Sequence, residues 1–182
     1  MKLSNHFIGL YFIGIILILF SCTITTTSQG ESAPLPVESQ DIDIQDLDIA
    51  TGQTIFVPAY SEIYFASNNR TLDLAVTLSI HNADFTNPII ITSVRYYNTQ
   101  GSLVREYAPQ SQRLDALATA TFFVDAGEET GGVGTNFVVE WVAEQPVYEP
   151  VVEALMINTS GSQGLSFTSP GRVINQINKE QQ

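Results

Sequence analysis

Between Leu72 and His81 the chain alternates without a slip. Leu72, Leu74, Val76, Leu78 and Ile80 are apolar, while Asp73, Ala75, Thr77, Ser79 and His81 are polar or small. Successive Cβ atoms of an extended chain point to opposite faces, so a period of two predicts a strand with one buried face. Phe137, Val139 and Trp141 alternate against Val138, Glu140 and Val142 in the same way. Ile89 to Tyr97 is rich in β-branched and aromatic residues. It ends in the turn signal Asn98-Thr99-Gln100-Gly101, ahead of Leu103 to Tyr107. Further strands are expected at Thr54–Phe65, Leu114–Val124, Val151–Ile157 and Leu165–Thr168. No window carries a convincing helical period. The pattern predicts an all-β fold, an antiparallel β-sandwich of immunoglobulin-like type with about seven to eight strands.

The strands begin only after residue 50, and the segment before them differs in kind. Lys2 precedes an apolar run from Phe7 to Phe20, which ends in Leu19-Phe20-Ser21-Cys22. The run has about 14 residues, short of the roughly 20 that span a bilayer core. A charged start, a short apolar stretch and a small residue at its end read as a cleavable export signal. Leu19 and Ser21 before Cys22 resemble a bacterial lipoprotein cleavage box, with Phe20 where a small or β-branched residue is usual. An uncleaved signal anchor and free secretion are the alternatives. Cys22 is the one cysteine of the chain and the expected site of lipidation. Cleavage leaves a globular part without any thiol, so neither disulfides nor thiol catalysis are open to it. The expected organisation is a signal peptide at 1–21, a lipidated, flexible acidic linker at 22–50, a β-sandwich at 51–174 and a frayed tail at 175–182. Thr23 to about Ala50 is polar and carries Pro34 and Pro36, a composition that buries too little surface to order itself. The acidic run Asp41 to Ile49 fails as an EF-hand, which needs Gly at loop position six and Glu at twelve, where Asp46 and Gly52 stand. It reads as solvated linker or as a bulged edge strand.

Charge narrows the partners. The net charge is -12 and the isoelectric point near 4.2. Nucleic-acid affinity comes largely from Lys and Arg neutralising phosphates, so nucleic acid is not an expected partner. An anionic lipid surface repels such a chain as well, which leaves a covalent lipid as the physically sufficient means of attachment.

No catalytic set emerges. The loop Gly127-Glu128-Glu129-Thr130-Gly131-Gly132-Val133-Gly134 lacks the third glycine of a dinucleotide fingerprint, and no lysine stands near to complete a P-loop. His81 is the single histidine left after cleavage, too few for most zinc sites. It lies on the polar face of its strand and is expected near Asp84. Triad partners converge only in space, and no Gly-x-Ser-x-Gly elbow is present. Carboxylate pairs are abundant by chance in a chain with nineteen acidic residues. No cofactor and no metal are expected. Aromatic residues are the better lead: Tyr60, Tyr64, Tyr96, Tyr97, Tyr107 and Tyr148 are spread over several strands, and one of Tyr96 and Tyr97 must face outward. The expected binding surface comprises Arg95, Tyr96, Tyr97, Arg105, Gly131, Gly132, Gly134 and Asn136. The arginines are equally suited to ion pairs within an acidic protein.

The order of several motifs is familiar. Val57-Pro58-Ala59-Tyr60-Ser61 leads to Leu78-Ser79-Ile80-His81-Asn82. Tyr96-Tyr97, Gly101, Gly131 to Phe137 and Gly164 to Arg172 follow. From about residue 54 to 174 the chain resembles an uncharacterised bacterial family of secreted or lipid-anchored domains of unknown function. Asn158 stands where that family leads one to expect Gly. The resemblance implies a domain and no catalytic residue. The expected function is a non-enzymatic protein-interaction module in the bacterial cell envelope, lipid-anchored to a membrane, facing the periplasm or exterior and binding an envelope protein. A small-ligand or glycan-binding lipoprotein is the alternative, and a hydrolase ranks third.

Overall fold

The computed structural model describes residues 42–128 and 131–178. The signal, Cys22 and the linker as far as residue 41 lie outside the described residues. A single 3-10 turn, Ile44–Asp46, precedes the strands, with Asp43 capping it through the Gln45 amide at 2.9 Å. Twelve strands follow among the described residues: β1 (Thr51–Ala59), β2 (Glu62–Phe65), β3 (Ser67–Asp73), β4 (Ala75–His81), β5 (Ile89–Tyr97), β6 (Leu103–Glu106), β7 (Gln112–Leu114), β8 (Thr119–Val124), β9 (Thr135–Ala143), β10 (Val151–Asn158), β11 (Leu165–Pro170) and β12 (Arg172–Asn178). No described helix is long and apolar enough to cross a membrane.

The strands form an antiparallel sandwich. One sheet runs β12-β1-β9-β5-β6, with β7 also on β5, and the other runs β11-β10-β4-β8. The expected alternation supplies the core. Ile55 and Val57 of β1, Ile91 and Val94 of β5, and Phe137, Val139 and Trp141 of β9 face Val76, Leu78 and Ile80 of β4 and Ala154 and Met156 of β10. Each of the Val, Leu, Ile, Phe and Met side chains contributes about 1.5–3 kcal/mol when withdrawn from water.

The departures from expectation share a cause. Thr54–Phe65 is not one strand, because the chain turns at Tyr60 and Ser61 and starts the β2–β3 hairpin, a two-stranded sheet of its own. The Leu72–His81 run likewise breaks at Leu74, whose amide donates to the Ser61 carbonyl at 2.7 Å. Alternation persists across that break while the pairing partner changes from β2 to β10 and β8. Leu114–Val124 divides into β7 and β8 around a turn in which Leu117 has φ 60°. These three divisions take the eight expected strands to eleven, and β12, which was not expected, makes the twelfth. At the C-terminus β12 passes the expected limit of 174, since Asn175 to Asn178 pair with Thr54 to Thr51. At the other end the linker is already engaged at Ala50, whose amide donates to the Ala143 carbonyl at 2.9 Å.

Candidate functional site

Strand pairing does gather much of the expected surface. Tyr97 lies opposite Asn136, Tyr96 opposite Phe137 and Arg105, and Arg95 opposite Val138 and Glu106. Yet Arg95, Tyr96 and Arg105 are spent on the fold. Tyr96 is fully buried, its ring centroid 4.9 Å from that of Phe137, so it belongs to the core and not to a surface. Tyr97 points the other way and is half-exposed. Arg95 pairs with Glu140 at 2.8 Å. Arg105 pairs with Glu128 at 3.2 Å and donates to the Tyr107 hydroxyl, and both partners raise its pKa. Burial pushes the Tyr107 phenol up, and that hydroxyl donates to the Phe123 carbonyl at 2.8 Å.

The glycine loop is clamped from both sides. Ser61 Oγ accepts from the Gly132 amide at 2.8 Å and donates to its carbonyl at 3.1 Å. Thr99 Oγ1 accepts from the Gly134 amide at 3.1 Å, and the Gly131 amide donates to the Glu128 carbonyl at 3.2 Å. A phosphate cradle needs free backbone donors, and these three are taken. The glycines answer to geometry instead. Gly132 has φ +104°, and a Cβ on Gly131 would run into Ser61 Oγ and lie 2.8 Å from the Tyr96 hydroxyl. Beside the loop, Ser61, Glu62, Asp73, Gly127, Glu128 and Gly132 line a cleft of about 330 Å³. Glu62 and Asp73 face each other across the hairpin base, a like-charge pair. Among the described residues no three His, Cys, Asp or Glu side chains are arranged to hold a metal ion.

His81 and Asp84 do not form a dyad through their described bonds. His81 Nδ1 meets Thr119 Oγ1 at 2.9 Å. The Asp84 carboxylate accepts from the Thr86, Asn87 and Tyr148 amides at 2.9, 2.8 and 3.1 Å, and from the Thr86 hydroxyl. The Asn87 and Thr86 amides are the main reason its pKa falls from 3.8 to about 2. Asn82 beside it donates to the Asn87, Leu114 and Asp115 carbonyls and accepts from the Asp84 amide at 3.0 Å. The two buried side chains tie together the loops at 82–88, 115–118 and 144–150.

Apolar side chains are exposed on the main sheets too, among them Phe123, Val151, Leu155 and Ile174, but two groups stand off those sheets. Tyr64 and Phe65 sit on the β2–β3 hairpin, with the Arg70 guanidinium 4.6 Å from the Phe65 ring centroid. Phe85, Leu117 and Tyr148 stand on the three loops joined at Asp84. Tyr64 and Tyr148 stand among the aromatic leads read from the sequence, whereas Phe65, Phe85 and Leu117 do not. Phe85 carried a signal, being a large apolar residue inside the turn-forming run Asp84-Phe85-Thr86-Asn87-Pro88.

Fold and surface define an acidic β-sandwich domain with exposed apolar side chains at a hairpin and at one set of loops. The chain belongs to the family described as Protein of unknown function (DUF3124), whose model matches residues 52–174, in keeping with the motif order. No curated protein matches the chain. Of solved structures, the one described as "Crystal Structure of Thermotoga maritima 1070" is similar at 12% identity and a TM-score of 0.38, covering 69% of this chain and 96% of that one.

Proposed function

We propose that the chain is a non-enzymatic protein-interaction module, held at the bacterial envelope by lipid on Cys22 and binding an envelope protein through the β2–β3 hairpin. The observation that carries this reading is the exposure of Tyr64 and Phe65 on an arm outside both main sheets. The pairing slips between Tyr64 and Phe65, a bulge that breaks strict alternation and leaves both rings exposed at the end of the arm. A lone two-stranded hairpin is marginally stable in water. This one is fixed at its base, where Asn158 Nδ2 donates to the Asp73 carbonyl at 2.6 Å and Leu74 bonds Ser61. Rigid exposed aromatics are the residues that dominate protein interfaces when covered. The neighbouring cleft is walled by Glu62, Asp73 and Glu128, unlike the mostly apolar pockets that take small molecules.

Two measurements test the reading. Metabolic labelling with an alkyne fatty acid should mark the wild type and not Cys22→Ala. A photo-crosslinking residue at Phe65 in the full chain should give one discrete adduct in the envelope, lost with Tyr64→Ala. A ladder indistinguishable from that given by a probe at the exposed Ser102 would remove the hairpin from the interaction.

A further inference from the structure

We infer that the end of the sandwich bearing Phe85, Leu117 and Tyr148 rests on the zwitterionic surface of the bilayer to which the chain is tethered. The inference depends on the lipid anchor at Cys22 and adds an orientation to it. The three side chains are 73%, 61% and 68% exposed. They spring from one knot. The Leu117 amide donates to the Asp84 carbonyl at 3.1 Å, the Tyr148 amide donates to the Asp84 carboxylate at 3.1 Å, and Phe85 is the next residue. Leu117 is held at φ 60°, a conformation that a leucine adopts only when its surroundings impose it. Three loops thus present apolar tips from a fixed base.

The chain enters the sandwich at the same end. Ala50 bonds Ala143, five residues before Tyr148, and Asp48 shares a cleft of about 260 Å³ with Pro88, Arg113 and Glu144. Cys22 lies 26 residues before Asp48, a path of at most about 90 Å when fully extended. Attachment through that path makes the meeting of tip and lipid intramolecular, so a weak apolar preference suffices to set orientation. Phe, Leu and Tyr suit the headgroup boundary, where aromatic rings keep one edge wet. The charges nearby choose the lipid. Glu144 and Glu149 border the tip, and its arginine, Arg113, is paired with Asp115 at 3.0 Å. An anionic surface would oppose contact, and a zwitterionic one would not.

The test uses the full lipidated chain in phosphatidylcholine vesicles with brominated acyl chains. An environment-sensitive fluorophore is placed on Leu117→Cys or, as control, on Ser102→Cys; acylation blocks Cys22. Phe85→Cys serves as a second reporter should the Leu117 variant fail to fold. The tip probes should be quenched several-fold more than the Ser102 probe, and added phosphatidylglycerol should narrow the difference. Flotation of the same samples reads the anchor separately. Chains that float with equal quenching at both sites would overturn the orientation and leave the anchor standing. Chains that fail to float would overturn both. A Leu117 probe shielded in native envelopes yet unquenched in protein-free vesicles would assign the tip to a protein partner and refute lipid contact.

Discussion

Asp84 works by accepting, and its acceptors are filled by backbone amides from two loops far apart in sequence. The carboxylate must be ionised to accept from all of them. Its pKa therefore falls from 3.8 to about 2 on folding. A depressed pKa fixes the sign. The stabilisation is complete above pH 3.8 and is lost as the pH falls through about 2. Asp84→Asn should lower the melting temperature by several degrees at pH 5 to 7, because an amide nitrogen then confronts a backbone donor. The gap between wild type and variant should close as the pH approaches 2, which thermal circular dichroism across that range will read. A gap independent of pH would show that the carboxylate's charge is immaterial. Part of this role was legible, since Asp and Asn bond their own backbone two residues on. The bond to Tyr148 was not, because a side chain reaching a distant amide leaves no trace in either segment. Tyr96 was misplaced for a related reason: alternation says that one of two adjacent tyrosines faces inward and does not say which.

Strands carry the same lesson at larger size. Ile89–Tyr97 was readable to the residue, being a central strand bounded by turn signals. The Leu72–His81 run was readable as strand but not as two strands, since a period of two records which face is buried and not which neighbour pairs. Gly171 marks another such change of partner. It separates β11, in one sheet, from β12, in the other, so nearly one continuous segment crosses between layers at this residue. Its amide donates to the Val152 carbonyl at 2.7 Å. A Cβ here would lie 2.6 Å from Ile55 Cγ2 and 2.9 Å from the Val152 oxygen. Gly171→Ala should therefore cost about 1–3 kcal/mol in urea denaturation, the range for overpacked cores. Gly134→Ala is the matched control, with its nearest atom, Thr99 Cγ2, at an ordinary 3.6 Å. Equal effects of the two substitutions would mean that crowding at the corner is not what the glycine relieves.

At the scale of the whole molecule, the first described strand is completed by the last described one. β1 is bordered by β9 on one side and by β12 on the other, with Thr51 opposite Asn178 and Phe56 opposite Arg172. The sandwich thus closes its first sheet only after the entire domain has been made, a long-range pairing of the kind that slows folding. Sequence composition gave no hint of this. The end of the chain is polar, with Asn175, Gln176 and Asn178 between apolar residues, and reads as a tail until its partner is known. Ending the chain after Gly171 would uncover the outer edge of β1, a nine-residue strand carrying Ile55, Phe56 and Val57. Exposed apolar edges pair with other copies. The truncated protein should lose part of its denaturant midpoint and elute as larger species in size-exclusion chromatography, while Lys179 to Gln182 alone should be dispensable. If truncation after Gly171 left both the midpoint and the elution volume unchanged, β12 would be an ornament on the sheet and the domain would end with β11.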